Sequence, residues 1–520
     1  MNSTSGRRKE WLPFFLLGAA FLASRLLFLP HPQPISDVFI YAQYVHEYES
    51  SRRQGMPFYE LHARRIEAQA AEAMASGRLT GSLDEYKNVE YPPLSLLFMR
   101  FPELILGRPP PGHELSPIYA NHYMTVFRAG QAAMDVALFM LLLACLRLWN
   151  GADTLGAPRL ALYVLATVLL WHLLYDRLDL VLALLIVLAL LLLASRVHYV
   201  WSFAVLALAV NFKLVPLVLA PIWILGSLSP EEMLGLARPD GLFLAARRSF
   251  LLLLLIVAIF LPFYLVAGQA SLGFLAYHQA RGLEIGSVFT SLPLMGHVLG
   301  HPIDVVYSFG SINVNTELAA TLVRLVPAFA ATALLAALLL LLSHCQGLAH
   351  QVKKDPTLSP LSPGLRGEGS GVRGPASSEQ GVPPRLALLY PRIFAGYALL
   401  FLMLFILTNK VFSPQYLLWL APLFALATFE GRTRRWLFGG FLLTCFLTTL
   451  LVPFLFLTDL YDPASQTVPR TFKEPTVRIC ALLIARNLVY VALTLGTGFA
   501  LFTSARPVLT SERSQPLAGG

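Results

Sequence analysis

The residues of this sequence best able to do chemistry are charged side chains that border apolar segments. They are Asp37, Glu90, Asp176, Arg177, Asp179, Lys213, Arg281, Glu284 and Lys410. Placing a charged group at the edge of a bilayer costs free energy, so we expect each one to have a structural or functional role. These groups come from five separated parts of the chain, and all fall at the outward ends of apolar segments in the topology argued below. The pattern predicts one site on the outer side of a membrane.

Asp37 stands immediately before residues 38–50, where the pattern predicts a helix capped by Ser36. Two roles fit a carboxylate at this position. It can stabilise the helix N-terminus, where the helix dipole favours negative charge. It can also act as a general base that takes a proton from an acceptor hydroxyl. Tyr41 lies one turn further on and shares its face.

Three cations, Lys213, Arg281 and Lys410, are flanked by apolar runs. A lysine ammonium holds a phosphate as a point charge, and an arginine guanidinium can bind one through two parallel hydrogen bonds. Simpler roles stay open for the arginines. Arg281 can pair with Glu284, and Arg177 can pair with the carboxylates beside it.

Aromatic and amide side chains accompany these charges. Glu90 and Tyr91 precede two prolines that fix a rigid turn, where Glu90 can contact a polar substrate and Tyr91 can anchor the chain at headgroup level. Gln415 and Tyr416 follow Lys410 at a helix start, and interfacial tyrosines are ordinary there.

Composition determines the class of protein. Of 520 residues, 56% are hydrophobic and 13% are charged, about half the ~25% of an ordinary soluble protein. Mean hydropathy is +0.62. These values exclude a disordered chain, a disulfide-rich secreted domain and a conventional cytosolic enzyme. They predict an all-α polytopic membrane protein.

About twelve apolar runs are long enough, or nearly so, to cross a bilayer. They fall at approximately 11–29, 123–147, 159–175, 180–195, 199–212, 214–227, 248–267, 317–343, 391–408, 413–429, 436–457 and 478–503. Several are shorter than the ~20 residues that a lone spanning helix needs, so we expect them to be tilted, paired or partly re-entrant.

Basic residues set the orientation. They cluster at 7–9, 247–248, 353–354 and 432–435, which the positive-inside rule places in the cytoplasm together with both termini. The same bias explains the net charge of +9 without a nucleic-acid partner. The first run is predicted to be an anchor in the cell membrane rather than a cleaved signal peptide, because Arg25 interrupts it and no A-x-A site follows.

The predicted domains follow from these runs. Residues 1–10 form a cytoplasmic N-terminus, 11–352 a membrane core, 353–384 a flexible cytoplasmic linker rich in Pro, Gly and Ser, 385–503 further membrane helices, and 504–520 a cytoplasmic tail. Within the core, 30–122 form a long helical outward loop, with helices expected over 38–50, 59–76 and 94–106, the last lying in the membrane interface.

Four cysteines lie in or beside apolar runs and form no metal-binding spacing. They are Cys145, Cys345, Cys445 and Cys480. We expect all four to be small buried hydrophobic residues.

The order of the charged motifs resembles the GT-C glycosyltransferases, multi-spanning enzymes that use lipid-phosphate sugars. The segments Glu90-Tyr-Pro-Pro-Leu, Asp176-Arg177-Leu-Asp179, Lys213-Leu-Val-Pro216 and Arg281-Gly-Leu-Glu-Ile-Gly-Ser287 are similar to bacterial family-87 polyprenol-phosphate-mannose-type transferases. Asn409-Lys-Val-Phe-Ser-Pro-Gln-Tyr416 resembles a segment of the first mannosyltransferase of GPI-anchor synthesis. The resemblance runs from about residue 11 to 503, except for the linker.

The resemblance implies an inverting hexosyltransferase that moves a sugar, mannose in the family, from a polyprenyl-phosphate donor to a lipid or glycan acceptor on the outer side. It makes Asp37 the catalytic base. The implied substrate-binding residues are Glu90, Tyr91, Asp176, Arg177, Asp179, Lys213, His278, Arg281, Ser287, Lys410, Gln415 and Tyr416.

The resemblance implies no resident cofactor. Some relatives carry Asp-x-Asp at this position, but here Phe39 follows two residues after Asp37, so a metal-binding role for that pair is in doubt and a divalent metal stays open. Membrane lipids are the other expected partners. A secondary transporter or lipid flippase is the alternative, although the chain shows no convincing internal repeat.

Overall fold

Helices dominate the molecule. The computed structural model describes residues 3–30, 36–79, 83–112, 115–150, 156–354, 385–460 and 472–513. The first ten helices are α1 Ser3–Phe28, α2 Val38–Gln54, α3 Phe58–Ala75, α4 Pro93–Met99, α5 Glu103–Leu106, α6 Pro117–Asn150, α7 Gly156–Leu169, α8 Asp179–Leu193, α9 Tyr199–Phe212 and α10 Ala220–Gly226. The next ten are α11 Pro230–Leu234, α12 Pro239–Ala267, α13 Gly273–Ala280, α14 Ser291–Val298, α15 Glu317–Lys354, α16 Leu386–Leu389, α17 Pro391–Leu407, α18 Leu417–Leu426, α19 Gly431–Thr449 and α20 Val477–Arg513.

Five helical stretches in the described part of the chain are long and apolar enough to cross a membrane. They are Pro117–Trp149, Pro239–Ala280, Glu317–Lys354, Gly431–Phe456 and Val477–Ser504. Seven shorter apolar helical stretches accompany them: Leu12–Phe28, Gly156–Leu169, Asp179–Leu193, Tyr199–Phe212, Val215–Gly226, Pro391–Leu407 and Pro414–Leu426. The chain is therefore a predominantly helical membrane protein, and the count of about twelve spans stays a prediction.

The helices α12 and α18 differ in what surrounds them. Every residue of α18 is buried, whereas α12, with 29 residues, buries only Gly241, Arg248 and Leu252. Side chains such as Leu265 of α12 are exposed, and an apolar surface of that extent belongs in lipid rather than in water. A helix enclosed by its neighbours need not reach across the hydrocarbon layer alone, which accounts for the shortness of α18.

The loop predicted over 30–122 contains the expected helices, with one correction. The helix expected over 38–50 is α2, and the one expected over 59–76 is α3. The single helix expected over 94–106 is instead two short ones, α4 and α5, interrupted before Pro102, whose ring restricts the preceding residue.

A short antiparallel sheet accompanies the helices. Its strands are β1 Leu283–Glu284, β2 Val305–Ser308 and β3 Ser311–Val314, in the order β1-β3-β2. The β2–β3 hairpin closes through Phe309 and Gly310, both with positive φ (50° and 64°), which is the backbone of a two-residue turn matched to strand twist. The sheet places the segment after α13 against β3.

The described residues include only part of the predicted domain boundaries. The helix α15 extends through Lys354, so the first two residues predicted as linker are helical, and 355–384 lie outside the described residues. Likewise α20 continues to Arg513, ten residues into the predicted tail. All four cysteines are free and buried, as expected.

Candidate active site

Segments from widely separated parts of the chain meet at one end of the helical bundle, which we call the charged end. It comprises the start of α2, the turn before α4, the loop before α8, and the residues that follow α9, α13 and α17. Ion pairs and hydrogen bonds between these segments, described below, hold the charged end together. The same segments are the ones that the sequence predicts to share one face.

Asp37 forms an ion pair with Arg177, which reaches it from the loop before α8. The Ser36 hydroxyl accepts a hydrogen bond from the Val38 amide at 3.2 Å, so the helix start has a cap other than Asp37. The two charged side chains are 21% and 13% exposed, which leaves the Asp37 carboxylate accessible to a small polar group. Burial lowers the pKa of Arg177 to about 10, so the guanidinium still carries its charge at neutral pH.

Lys213 is paired with a carboxylate. Its Nζ lies 2.8 Å from Asp179 Oδ1, which also accepts a hydrogen bond from Trp419 Nε1 at 2.8 Å. The ammonium stands 4.9 Å from the centre of the Trp419 ring and 5.4 Å from that of Tyr416. An anion that approaches Lys213 therefore shares it with Asp179, and the two aromatic faces hold the lysine in place.

Glu90 and Arg281 form a looser pair. Glu90 Oε1 lies 3.7 Å from Arg281 Nη1, while Arg281 Nε donates to Ser311 Oγ of β3 at 3.3 Å. The His278 ring hydrogen-bonds the backbone of Glu90. Burial raises the pKa of Glu90, although the charges of Arg281 and Lys213 oppose that rise. The guanidinium is thus oriented by the sheet and keeps donors for a further acceptor.

Lys410 contacts a backbone carbonyl rather than a carboxylate. Its Nζ donates to the Gln279 carbonyl oxygen at 2.9 Å, which leaves two of its three ammonium hydrogens for other acceptors. Burial, with a smaller contribution from the charge of Arg281, lowers the pKa of Lys410 to about 8. Lys410 and Arg281 are thus close enough for each positive charge to disfavour the other, and binding of an anion would relieve this repulsion.

The loop after α13 and the segment after α17 are joined by their backbones. The Glu284 amide donates to the Lys410 carbonyl at 3.0 Å, and Ser287 Oγ donates to the Asn409 carbonyl at 2.9 Å. A Cβ at Gly286 would stand 3.1 Å from the Phe412 carbonyl oxygen, so the close approach depends on glycine. Ser287 is fully buried. Its hydroxyl therefore links the two loops instead of facing a ligand.

The remaining predicted residues lie at the margins of the charged end. The Tyr91 and Tyr41 hydroxyls are 3.3 Å apart, and Gln415 Oε1 accepts from Ser413 Oγ at 2.6 Å. Asp176 is 2% exposed and lies 3.5 Å from Arg128 Nε. Asp176 is therefore a buried carboxylate, which interacts with Arg128 and is hydrogen-bonded to the Ser36 side chain beside Asp37.

A buried hub, absent from the sequence predictions, lies deeper in the bundle. Asp135 of α6 accepts hydrogen bonds from Arg25 Nε at 2.8 Å, Tyr163 at 2.7 Å and Tyr175 at 3.1 Å, and Arg25 Nη2 donates to Thr167 at 2.7 Å. The sequence signal was a lone carboxylate within an apolar helix, which in a membrane needs a partner. Through Tyr175 the hub holds the loop that carries Arg177.

The arrangement brings basic oxygens and anion-binding groups within one site. Asp37 and Glu90 supply carboxylates, while Arg281, Lys410 and Lys213 supply positive charge. Such a set can remove a proton from one group and neutralise negative charge on another. Among the described residues, no three His, Cys, Asp or Glu side chains are grouped so as to hold a metal ion.

Compared with known proteins, the chain matches no protein-family model and no curated protein sequence.

Proposed function

We propose that the chain is a membrane glycosyltransferase that moves a sugar from a polyprenyl-phosphate donor to the hydroxyl of a lipid or glycan acceptor, with inversion at the anomeric carbon. The observation that carries the proposal is the meeting of three ion pairs and the further cation Lys410, all from separated segments, at one end of a membrane-embedded bundle. The resemblance of the motifs to polyprenol-phosphate-mannose-dependent enzymes makes mannose the proposed sugar.

The transfer has a simple balance of bonds. The acceptor oxygen attacks the anomeric carbon, and the bond between that carbon and the phosphate oxygen breaks. The acceptor proton passes to a carboxylate, and the electron pair leaves with the polyprenyl phosphate. A phosphate leaves readily once its developing charge is neutralised, which is the role assigned to Arg281 and Lys410, with Lys213 beside them.

Asp37 is the proposed base. Its accessible carboxylate is held by Arg177, which fixes the orientation that proton transfer requires. Glu90 is the competing candidate, because burial raises the pKa of its carboxyl group and so makes the carboxylate more basic than an ordinary glutamate. The loose pairing of Glu90 with Arg281 favours a different role, in which Glu90 orients the cation that meets the phosphate.

The proposed orientation puts the charged end outside the cell membrane and both termini in the cytoplasm, as the positive-inside rule predicts. A lipid-linked donor enters such a site from the bilayer. No soluble nucleotide-sugar domain is needed, because the donor already carries an activated sugar.

Transport of a solute or lipid is the second candidate, and the buried hub is the observation that favours it. Ion pairs inside a membrane often mark transport pathways. Here, however, both Asp135 oxygens and the Arg25 guanidinium are engaged in hydrogen bonds with α1, α7 and the following loop. A saturated hub of this kind is better suited to joining helices than to exchanging partners.

The test is a transfer assay with the purified full-length protein, radiolabelled polyprenyl-phosphate-mannose and an acceptor extract of membrane lipids. We expect label to move into an acceptor product without any added nucleotide sugar. A protein that binds the donor and releases no labelled product, but carries it across proteoliposomes, would favour the transport function instead.

A further inference from the structure

A cleft outside the charged end lies between the long outward loop and the outer end of α12. Its volume is about 620 Å³, within the ~300–1,000 Å³ range of ligand pockets. Its walls come from α2, α3, α4 and α12, and include Tyr44, Tyr48, Phe58, Leu97, Phe263 and Val266. Most of the lining is apolar or aromatic. The two charged side chains that line it are Arg52 and Arg100.

The position of the cleft along α12 places it at the boundary between hydrocarbon and headgroups. From exposed Arg247 to Ala267 the helix rises about 30 Å at ~1.5 Å per residue, which equals the ~30 Å of a hydrocarbon core. With Arg247 at one boundary, Pro262–Ala267 reach the other. The cleft therefore opens to the bilayer where lipid phosphates and glycerol groups lie.

Exposed apolar side chains of the loop support the same depth. Leu97 of α4 is 51% exposed, and Leu104 and Ile105 of α5 are 88% and 72% exposed. Side chains of this kind on short helices beside a spanning helix are typical of segments that rest in the membrane interface. The α4 wall of the cleft thus faces lipid as the α12 wall does.

The rim of the cleft carries more positive than negative charge. Buried Glu49 lies 3.2 Å from Arg52, 3.2 Å from Arg100 and 3.7 Å from Arg108. Arg100 also pairs with Glu103 at 2.8 Å and stacks on the Tyr48 ring at 4.1 Å. Three guanidiniums thus share two carboxylates. The Arg52 side chain, 47% exposed, bonds to Glu49 through Nη1, and Arg100 bonds to its carboxylates through Nε and Nη2, so both keep donors for an anion.

We propose that this cleft binds an anionic membrane phospholipid, with one acyl chain between α4 and α12 and the phosphate at Arg52 and Arg100. The apolar body of the cleft, its basic rim and its depth match the three parts of such a lipid. The bound lipid would join the outward loop to α12, and so steady the loop that carries Asp37 and Glu90. The proposal stands independently of the sugar transfer.

The test is lipid retention by the purified full-length protein in native mass spectrometry, with phosphatidylglycerol and phosphatidylcholine of identical acyl chains. We expect at least about tenfold tighter binding of phosphatidylglycerol, and loss of that preference in Arg52→Gln/Arg100→Gln. The matched control is Arg64→Gln/Arg78→Gln, which removes two exposed, ion-paired arginines of the same loop that do not line the cleft. It should keep the preference.

A second variant tests the apolar half and keeps the test decisive if the arginine variant folds poorly. Ala267→Phe fills the cleft without a change of charge, so it should reduce the binding of both lipids. Unchanged phosphatidylglycerol binding in this variant would overturn the proposal, as would equal binding of the two lipids by the parent protein. Retention of polyprenyl phosphate but not phosphatidylglycerol would overturn it in favour of a substrate chain. Displacement of the lipid by millimolar inorganic phosphate would reduce the cleft to a simple anion site.

Discussion

Lys410 is a residue of the charged end whose charge changes close to neutral pH. Its pKa of about 8 means that the ammonium is charged below pH 8 and neutral above it. Binding of polyprenyl phosphate should therefore weaken as the pH rises from 7 to 9, by about tenfold if Lys410 dominates the attraction. Affinity measured across this range by fluorescence quenching checks the expectation.

The control for this pH dependence is Lys410→Arg, which keeps the positive charge throughout the range. Its affinity should stay nearly constant between pH 7 and pH 9. A parental fall in affinity that persists unchanged in Lys410→Arg would assign the titration to another group.

The sequence predicted which residues gather at the charged end more fully than it predicted their partners. Spacing and apolar flanks were enough to select Asp37, Lys213 and Arg281. Their pairing with Arg177, Asp179 and Glu90 joins residues far apart in the chain, from 34 to 191 positions. Such partners depend on how helices pack, and a local pattern carries no information about that.

At the scale of elements, the Asp135 hub ties α1, α6 and α7 together. Asp135→Asn keeps the shape but leaves the Arg25 guanidinium buried without an opposing charge. Removal of one partner of a buried pair costs about 3–5 kcal/mol, so the variant should unfold at a clearly lower temperature in detergent. Replacement of both partners, as in Arg25→Met/Asp135→Leu, should recover much of the loss. A Tm equal to the parent's in Asp135→Asn would show that the hub does not stabilise the bundle.

Gly286 lets the loop after α13 approach the segment after α17. A methyl group there would meet the Phe412 carbonyl at 3.1 Å, so Gly286→Ala should force the two segments apart and destabilise the protein by about 1–3 kcal/mol. The matched control is Gly439→Ala inside α19, where a Cβ meets nothing within 4 Å and alanine favours the helix. Thermal unfolding of the two variants should move in opposite directions. Equal shifts would contradict the close approach.

Elements with strong periodicity were predictable, and the exceptions have local causes. The helices α2 and α3 follow from their patterns. The small sheet was missed because its strands are two to four residues long, too short for a periodic signal, and its turn contains Phe309 in place of the usual Asn or Asp before glycine. The break between α4 and α5 follows from Pro102, which the apolar pattern conceals.

The orientation of the whole molecule in the membrane is a prediction that labelling can test. We expect the loop with α2 and α3 outside and residue 370 inside. All four native cysteines are buried, so a single introduced cysteine gives a clean label with an impermeant maleimide in intact cells. Ser76→Cys, at the exposed end of α3, should react, whereas Ser370→Cys should react only after the cells are opened. The reverse result would invert the topology.

The described residues contain five long and seven short apolar helical stretches, but composition alone does not tell which of the short ones cross the bilayer. Enclosure of α18 by its neighbours shows why. A helix that is shielded from lipid on all sides does not need the ~20 apolar residues that a lone spanning helix requires. Its role depends on the assembled bundle, which the sequence specifies only through long-range packing.

Asp37 is the proposed acceptor of the proton during sugar transfer, and one comparison of variants tests this role most directly. The rate of mannose transfer from labelled polyprenyl-phosphate-mannose is measured for the parent, Asp37→Asn and Glu90→Gln, together with donor affinity and Tm. Asp37→Asn should fold, bind the donor and lose about 10²–10⁴ in transfer rate, because asparagine has no basic oxygen. The transfer rate of Glu90→Gln should fall by a smaller factor than that of Asp37→Asn. A well-folded Asp37→Asn protein that transfers sugar at the parental rate would contradict the account.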